Sequence, residues 1–171
     1  MPIPDRPVDA AEIETAWGQY VHDYTFAPAG CRCTGGEVAA PASDAWVTLP
    51  IDTASDDPGG YCDLTNNRLE VPDGGAGLYL VIIRAASDDG DADDFAQFRL
   101  RINGAELVRS PIRQQEGATV VSEYLTTTAA LEVGDQVDVQ GRQIGSGSRA
   151  DLSLTNLQIV RLGFELGAPT P

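Results

Sequence analysis

The chain has 171 residues, enough for one domain of ordinary size with a short appendage, and 42% hydrophobic with 22% charged residues is the composition of a globular protein. The net charge is −15 and all 11 basic residues are arginine, which excludes a nucleic-acid binder that neutralises phosphate with cations. No apolar run reaches the roughly 18 residues of a membrane span, and the opening MPIPDRPVDAAE lacks the basic and apolar regions of a secretion signal, so neither membrane insertion nor signal-led export is expected.

Pro2, Pro4 and Pro7 deny backbone donors and favour an extended arm. In DAAEIETAWGQYVHDY, Asp9 and Glu12 have capping-box spacing, and Ile13, Trp17, Tyr20 and Tyr24 follow at steps of four, three and four, a stripe along one helix face. A helix of about four turns is marginal alone in water, so this stripe needs a surface to cover it. Three covers fit equally: a docking partner, a three-stranded seam of identical helices, or the chain's own core. The stretch 27–45, APAGCRCTGGEVAAPASDA, has no period and is read as a linker, which divides the chain into an arm and helix (1–42) and a second domain (43–171).

From Trp46 onward short strands alternate with turn signals. WVTLPI and RLEVP alternate, GLYLVIIRAA is apolar on both faces as a central covered strand is, and FRLRI puts Phe98, Leu100 and Ile102 inward with Arg99 and Arg101 outward. Asn103–Gly104 is a two-residue hairpin signal, whose register sets Leu100 against Leu107 and Arg101 against Glu106. TVVSEYLTTT, QVDVQGRQ and ADLSLTNLQIVRL complete the set, and Leu152 and Leu154 are out of phase with Leu157 and Ile159, which predicts a bulge near Thr155–Asn156. Around eight such strands predict an all-β sandwich or jelly roll. The glycines of VPDGGAGLYLVIIRA precede a strand rather than a helix, so they predict a turn and not a phosphate loop.

Candidate chemistry is sparse. His22, the only histidine, adjoins Asp23 on the helix, where neighbours point apart, and no G-x-S-x-G elbow exists, so catalysis is not expected. Cys31, Cys33, Cys62 and His22 equal four zinc ligands in number but not in zinc-knuckle spacing. Three cysteines form no framework; Cys62 can pair with one of the others, but the odd count fits a reducing cytoplasm better. Asp88, Asp89, Asp91, Asp93 and Asp94 crowd hard oxygen ligands into the loop Ser87–Asp94, a candidate calcium site whose order is not that of an EF-hand; the plainer reading is a solvated acidic loop.

LEVPDGGAGLYLVIIRA, INGAEL, LEVGDQVDVQ and LSLTNLQIVRL, in that order, resemble the jelly-roll superfamily of complement globular heads and tumour necrosis factors. The resemblance covers Trp46 to Leu162; where the family has an aromatic-Ser-Gly-aromatic closing motif this chain has Leu154, Thr155 and Asn156. It implies a jelly-roll β-sandwich and a homotrimer packed through inner sheets, with some members binding calcium at the trimer top. On that view Leu78, Leu80 and Ile82 fill the sandwich while Tyr79, Val81 and Ile83 cover the inner sheet toward neighbouring subunits, or the reverse. PIPDRP with WGQ and VHD at the start resembles minor tail proteins of tailed phages of actinobacteria. The two resemblances together imply a non-enzymatic virion protein, made in the host cytoplasm without a signal peptide. Its arm would dock on other virion proteins of tail or capsid, and its trimeric domain would face a host-surface glycan. A capsid decoration or head-fibre protein of the same fold is the alternative, and a carbohydrate-binding or depolymerising module the alternative of another class. No cofactor is expected apart from calcium.

Overall fold

The apolar run that begins at Gly77 forms a 12-residue strand, and the rest of the molecule is arranged around it. The computed structural model describes residues 30–41, 44–88, 95–114, 120–145 and 150–163. Their strands are β1 Gly30–Thr34, β2 Glu37–Ala39, β3 Val47–Thr48, β4 Thr53–Asp56, β5 Cys62–Asp63, β6 Arg68–Glu70, β7 Gly77–Asp88, β8 Phe95–Ile102, β9 Ala105–Arg109, β10 Arg113–Gln114, β11 Val121–Leu131, β12 Gln136–Ile144 and β13 Asp151–Gly163. The first sheet runs β11-β7-β13-β1-β4 with β2 beside β13; the second runs β10-β8-β12-β6-β5 with β3 beside β12 and β9 beside β8. The pairings are antiparallel, so the fold is an all-β sandwich of two antiparallel sheets, as the strand pattern predicts.

The period of two decides what lies between the sheets. β7 contributes Tyr79, Val81, Ile83 and Ala85, β13 contributes Leu152, Leu154, Leu157 and Ile159, and β8 and β12 answer with Phe98, Leu100, Val137 and Val139, all buried. Of the two phases open for β7, the structure takes the one in which Tyr79, Val81 and Ile83 fill the sandwich and Leu78, Leu80 and Ile82 face away. The phase change in β13 is absorbed by a register shift between Leu154 and Asn156, so Leu154 and Leu157 both point inward although their separation is odd.

Three sequence expectations are corrected. The 27–45 stretch is not all linker: β1 pairs β13 and β4 near the middle of the first sheet, and β2 pairs β13, so the sandwich includes residues before 43. Short strands rich in Gly, Cys and Ala carry no clear period, because a five-residue strand shows too few turns of alternation. The hairpin sets Arg101 against Glu106 as expected, but Leu100 faces Val108, since a register shift between Leu100 and Arg101 leaves Leu107 exposed. Finally, Cys33 is disulfide-bonded to Cys62, tying β1 of one sheet to β5 of the other. The alternation in β1 turns Cys31 and Cys33 to the same side, and a sequence separation of 29 conceals that Cys62 lies opposite Cys33.

The turn before β7 is built as the glycines predict. Gly74 has φ +75° and Gly75 N–H donates to Pro72 O at 2.8 Å. A side chain at Gly75 would meet Pro72 O at 2.7 Å and Val71 Cγ1 at 2.8 Å. Three carbonyls of this turn are taken up by side chains: Arg161 donates to Gly74 O at 3.1 Å and to Ala76 O, and the Tyr79 hydroxyl donates to Gly75 O.

Candidate interaction surfaces

Each sheet has a second face, and the two are chemically opposite. On the first sheet the residues that alternate with the core are Leu78, Leu80, Ile82 and Arg84 of β7. Ala130, Thr128, Thr126 and Tyr124 of β11 lie beside them in that order. On the other flank β13 sets Val160 against Leu80, Gln158 against Ile82 and Asn156 against Arg84. Leu78 is 41% exposed and Leu162 53%, while Leu80, Ile82 and Val160 are half-buried. One end of this face is thus an aliphatic patch. The other is polar, with the Arg84 guanidinium 5.5 Å from the centre of the exposed Tyr124 ring and Arg32 Nε donating to Asn156 Oδ1 at 3.0 Å. Open aliphatic side chains in the middle of a sheet gain about 1.5–3 kcal/mol each when a partner covers them fully, which is the physical capacity of this surface.

The second sheet's open face carries charge. Cross-strand pairs from β8 and β12 form a ladder of forked hydrogen bonds: Arg101 on Asp138 (2.9 and 3.0 Å), Arg99 on Gln140 (3.0 and 2.6 Å) and Arg142 on Gln97 (3.2 and 2.8 Å). Glu106 accepts from Arg109 and, at 3.3 Å, from Arg99, and those hydrogen bonds hold its carboxyl below the usual carboxylate range, that from Arg109 most. At the sheet's far edge Asp63 is lowered likewise, chiefly by the Asn66 side-chain amide. Sequence reasoning places Arg99 and Arg101 outward but misses the partners, which come from a strand some 40 residues on.

Of the residues singled out by sequence, Tyr79, Val81 and Ile83 are in the core, Asp88 ends β7 opposite Asp151, and Cys31, Cys33 and Cys62 are brought together, their sulfurs all within 4.8 Å. With Cys33 and Cys62 consumed in the disulfide, that cluster offers one thiol, Cys31, and burial first, then the charge of Asp57, pushes it up to about 12. Ile13, Trp17, Tyr20, Tyr24 and His22 of the helix, and Asp89, Asp91, Asp93 and Asp94 of the acidic loop, lie outside the described residues.

The two-sheet antiparallel sandwich is similar in fold to solved jelly-roll domains of complement heads and tumour necrosis factors. The globular domain of zebrafish complement 1qA protein matches with a TM-score of 0.59 at 11% identity over 81% of this chain and 99% of that one. Murine APRIL matches with 0.55 at 19% over 78% and 98%, and the Eiger TNF of S. frugiperda with 0.51 at 17% over 84% and 98%. At these identities the likeness is one of fold. No family model matches the chain, and no curated protein does.

Proposed function

We propose that this chain is a non-enzymatic structural and binding protein of a phage particle, a minor tail protein whose jelly roll trimerises through the first sheet and projects outward. The observation that carries it is the open aliphatic face of that sheet, Leu78, Leu80, Ile82, Val160 and Leu162, on a fold similar to complement heads and tumour necrosis factors. Three copies would bury their aliphatic ends against one another around the threefold axis, and the polar end with Arg84 and Tyr124 would form the rim. The charged sheet then faces outward in every subunit. The resemblance of residues 2–30 to phage minor tail proteins supports the virion role, with Ile13, Trp17, Tyr20 and Tyr24 as the docking stripe and threefold avidity adding to a weak single contact. The buried thiol of Cys31, held protonated, supports a non-enzymatic reading, since a nucleophilic cysteine needs an exposed, acidified thiol.

Light scattering on the full chain tests the assembly, and a three-subunit mass is expected. A chain starting at Pro28 is expected to remain trimeric, which assigns the seam to the sandwich and frees the helix for docking. A monomer in both forms overturns the proposal. Immunogold labelling of phage particles with an antibody to the sandwich tests the location, with label on the tail expected and label on the capsid shell pointing to a decoration protein instead.

A further inference from the structure

Trp46, just before β3, lies over the arginine ladder of the second sheet. Three guanidinium carbons surround its ring, Arg99 at 4.2 Å, Arg142 at 4.6 Å and Arg109 at 5.6 Å from the centroid. On the rest of this sheet arginines are matched by carboxylates: Arg68 by Asp63 and Glu70, Arg101 by Asp138, Arg109 by Glu106, Arg113 by Glu123. Arg142 differs. Its Nε and Nη2 both fork onto Gln97 Oε1, a neutral oxygen, and Arg99 meets Gln140 Oε1 in the same way with Glu106 only at 3.3 Å. In a chain with 26 acidic residues, a half-buried guanidinium beside a tryptophan and answered by an amide is a local deficit of negative charge.

The amides are fixed as well. Gln97 is buried and donates its Nε2 to Ser110 O at 2.9 Å; Gln140 is buried and donates to Thr48 Oγ1 at 3.2 Å. Each therefore turns its oxygen to the arginine and holds that guanidinium by its side edge. Among the described residues the end-on edge of Arg142, Nη1 with the second Nη2 hydrogen, is left over and pre-oriented, the geometry in which a guanidinium takes both oxygens of a carboxylate. A peptide that docks by strand addition needs a free backbone edge, whereas β12 lies between β8 and β6 and β8 itself pairs β12, β9 and β10. What remains is an aromatic ring, two guanidinium forks and the Thr48 hydroxyl side by side, groups that suit a ligand that is itself hydroxylated and acidic.

We propose that Trp46, Arg99 and Arg142, braced by Gln97 and Gln140, form a binding site for the carboxylate of an acidic saccharide, a uronic acid unit. The inference rests on the reading of the domain as an outward-projecting binding protein and names the ligand class of that outward face. The test is calorimetric titration of the full chain with trigalacturonate, maltotriose and triglutamate, with light scattering on the same sample. Trigalacturonate is expected to bind and maltotriose not. Arg142→Gln is expected to weaken binding by about tenfold or more, as loss of a charge-assisted pair does, with Arg113→Gln on the same sheet changing it by less than about twofold. Arg142→Lys, which keeps the charge and loses the fork, is expected to weaken it too and serves if the glutamine variant does not fold. Absence of trigalacturonate binding by a trimer overturns this inference alone. Equal binding of maltotriose or triglutamate, or an unaffected Arg142→Lys, overturns the acidic-saccharide assignment, and a monomer that still binds trigalacturonate upholds it while overturning the trimer.

Discussion

Tyr79 is fully buried and yet polar, and its hydroxyl is placed so that nothing is wasted. It donates to Gly75 O, which leaves Tyr61 to donate to it at 3.0 Å, with the two rings edge-to-face at 6.2 Å. Burial, together with the Tyr61 hydrogen bond, raises its acid dissociation well above the ordinary tyrosine range, so it stays a donor at any physiological pH. Tyr79→Phe keeps the ring and orphans both partners; a loss of about 1–3 kcal/mol is expected in urea unfolding, the cost of unsatisfied buried groups. Cys31 makes a pH prediction. Its folded thiol titrates near 12 against an ordinary value of 9.0, so the folded state prefers the proton more than the unfolded state does. The stability this contributes is fully present below pH about 9 and is lost as pH rises toward 12. Cys31→Ala should flatten that alkaline decline of the melting temperature, and in the native wild type the thiol should resist iodoacetamide at neutral pH.

Among elements, β1 and β5 are the pair whose join is covalent. A closed loop of 29 residues lowers unfolded-state entropy enough for about 3–4 kcal/mol of stability on the chain-entropy model. Cys62→Ser should lose that amount by denaturant titration, and reduction of the wild type should match it. Legibility in the sequence follows element length and locality. The long strands β7, β11, β12 and β13 show their period over nine residues or more, and the bulge at Thr155 betrays itself because four leucine and isoleucine positions on one strand disagree in phase. β1 and β2 have five and three residues, contain glycine or alanine, and derive their strand state from β13, a neighbour more than a hundred residues away. The same non-locality hides the interaction surfaces. Outward Arg99 is visible from alternation alone, but its amide partner comes from β12 and Trp46 from the segment before β3, and alternation in β7 cannot say which of two apolar faces is core. What tips that choice is Tyr79, whose hydroxyl needs the Gly75 carbonyl and Tyr61 inside.

For the molecule as a whole, the contrast between the two open faces is what the proposed trimer is built on. Leu80 lies at the centre of the aliphatic patch, opposite Thr128 and Val160. Leu80→Glu places a carboxylate where three like charges would converge, and the expected outcome is a monomer by light scattering with the β circular-dichroism spectrum retained. Because Leu80 is outside the sandwich core, its replacement should cost the isolated subunit little, which separates an assembly defect from a folding defect.

β13 is the last of the described strands in chain order and lies in the interior of its sheet, between β7 and β1. During synthesis β1 meets one partner, β4, soon after it emerges, but its other partner, β13, follows only more than a hundred residues later, and β7 waits with one long edge unfilled. Until β13 is made, the long edge of β7 that it pairs with is open to other chains, and such non-local pairing is the slow, aggregation-exposed part of a β fold. Crowded, rapid expression should for that reason favour inclusion bodies, and slowing translation in the cold should recover soluble protein without any change in the sequence.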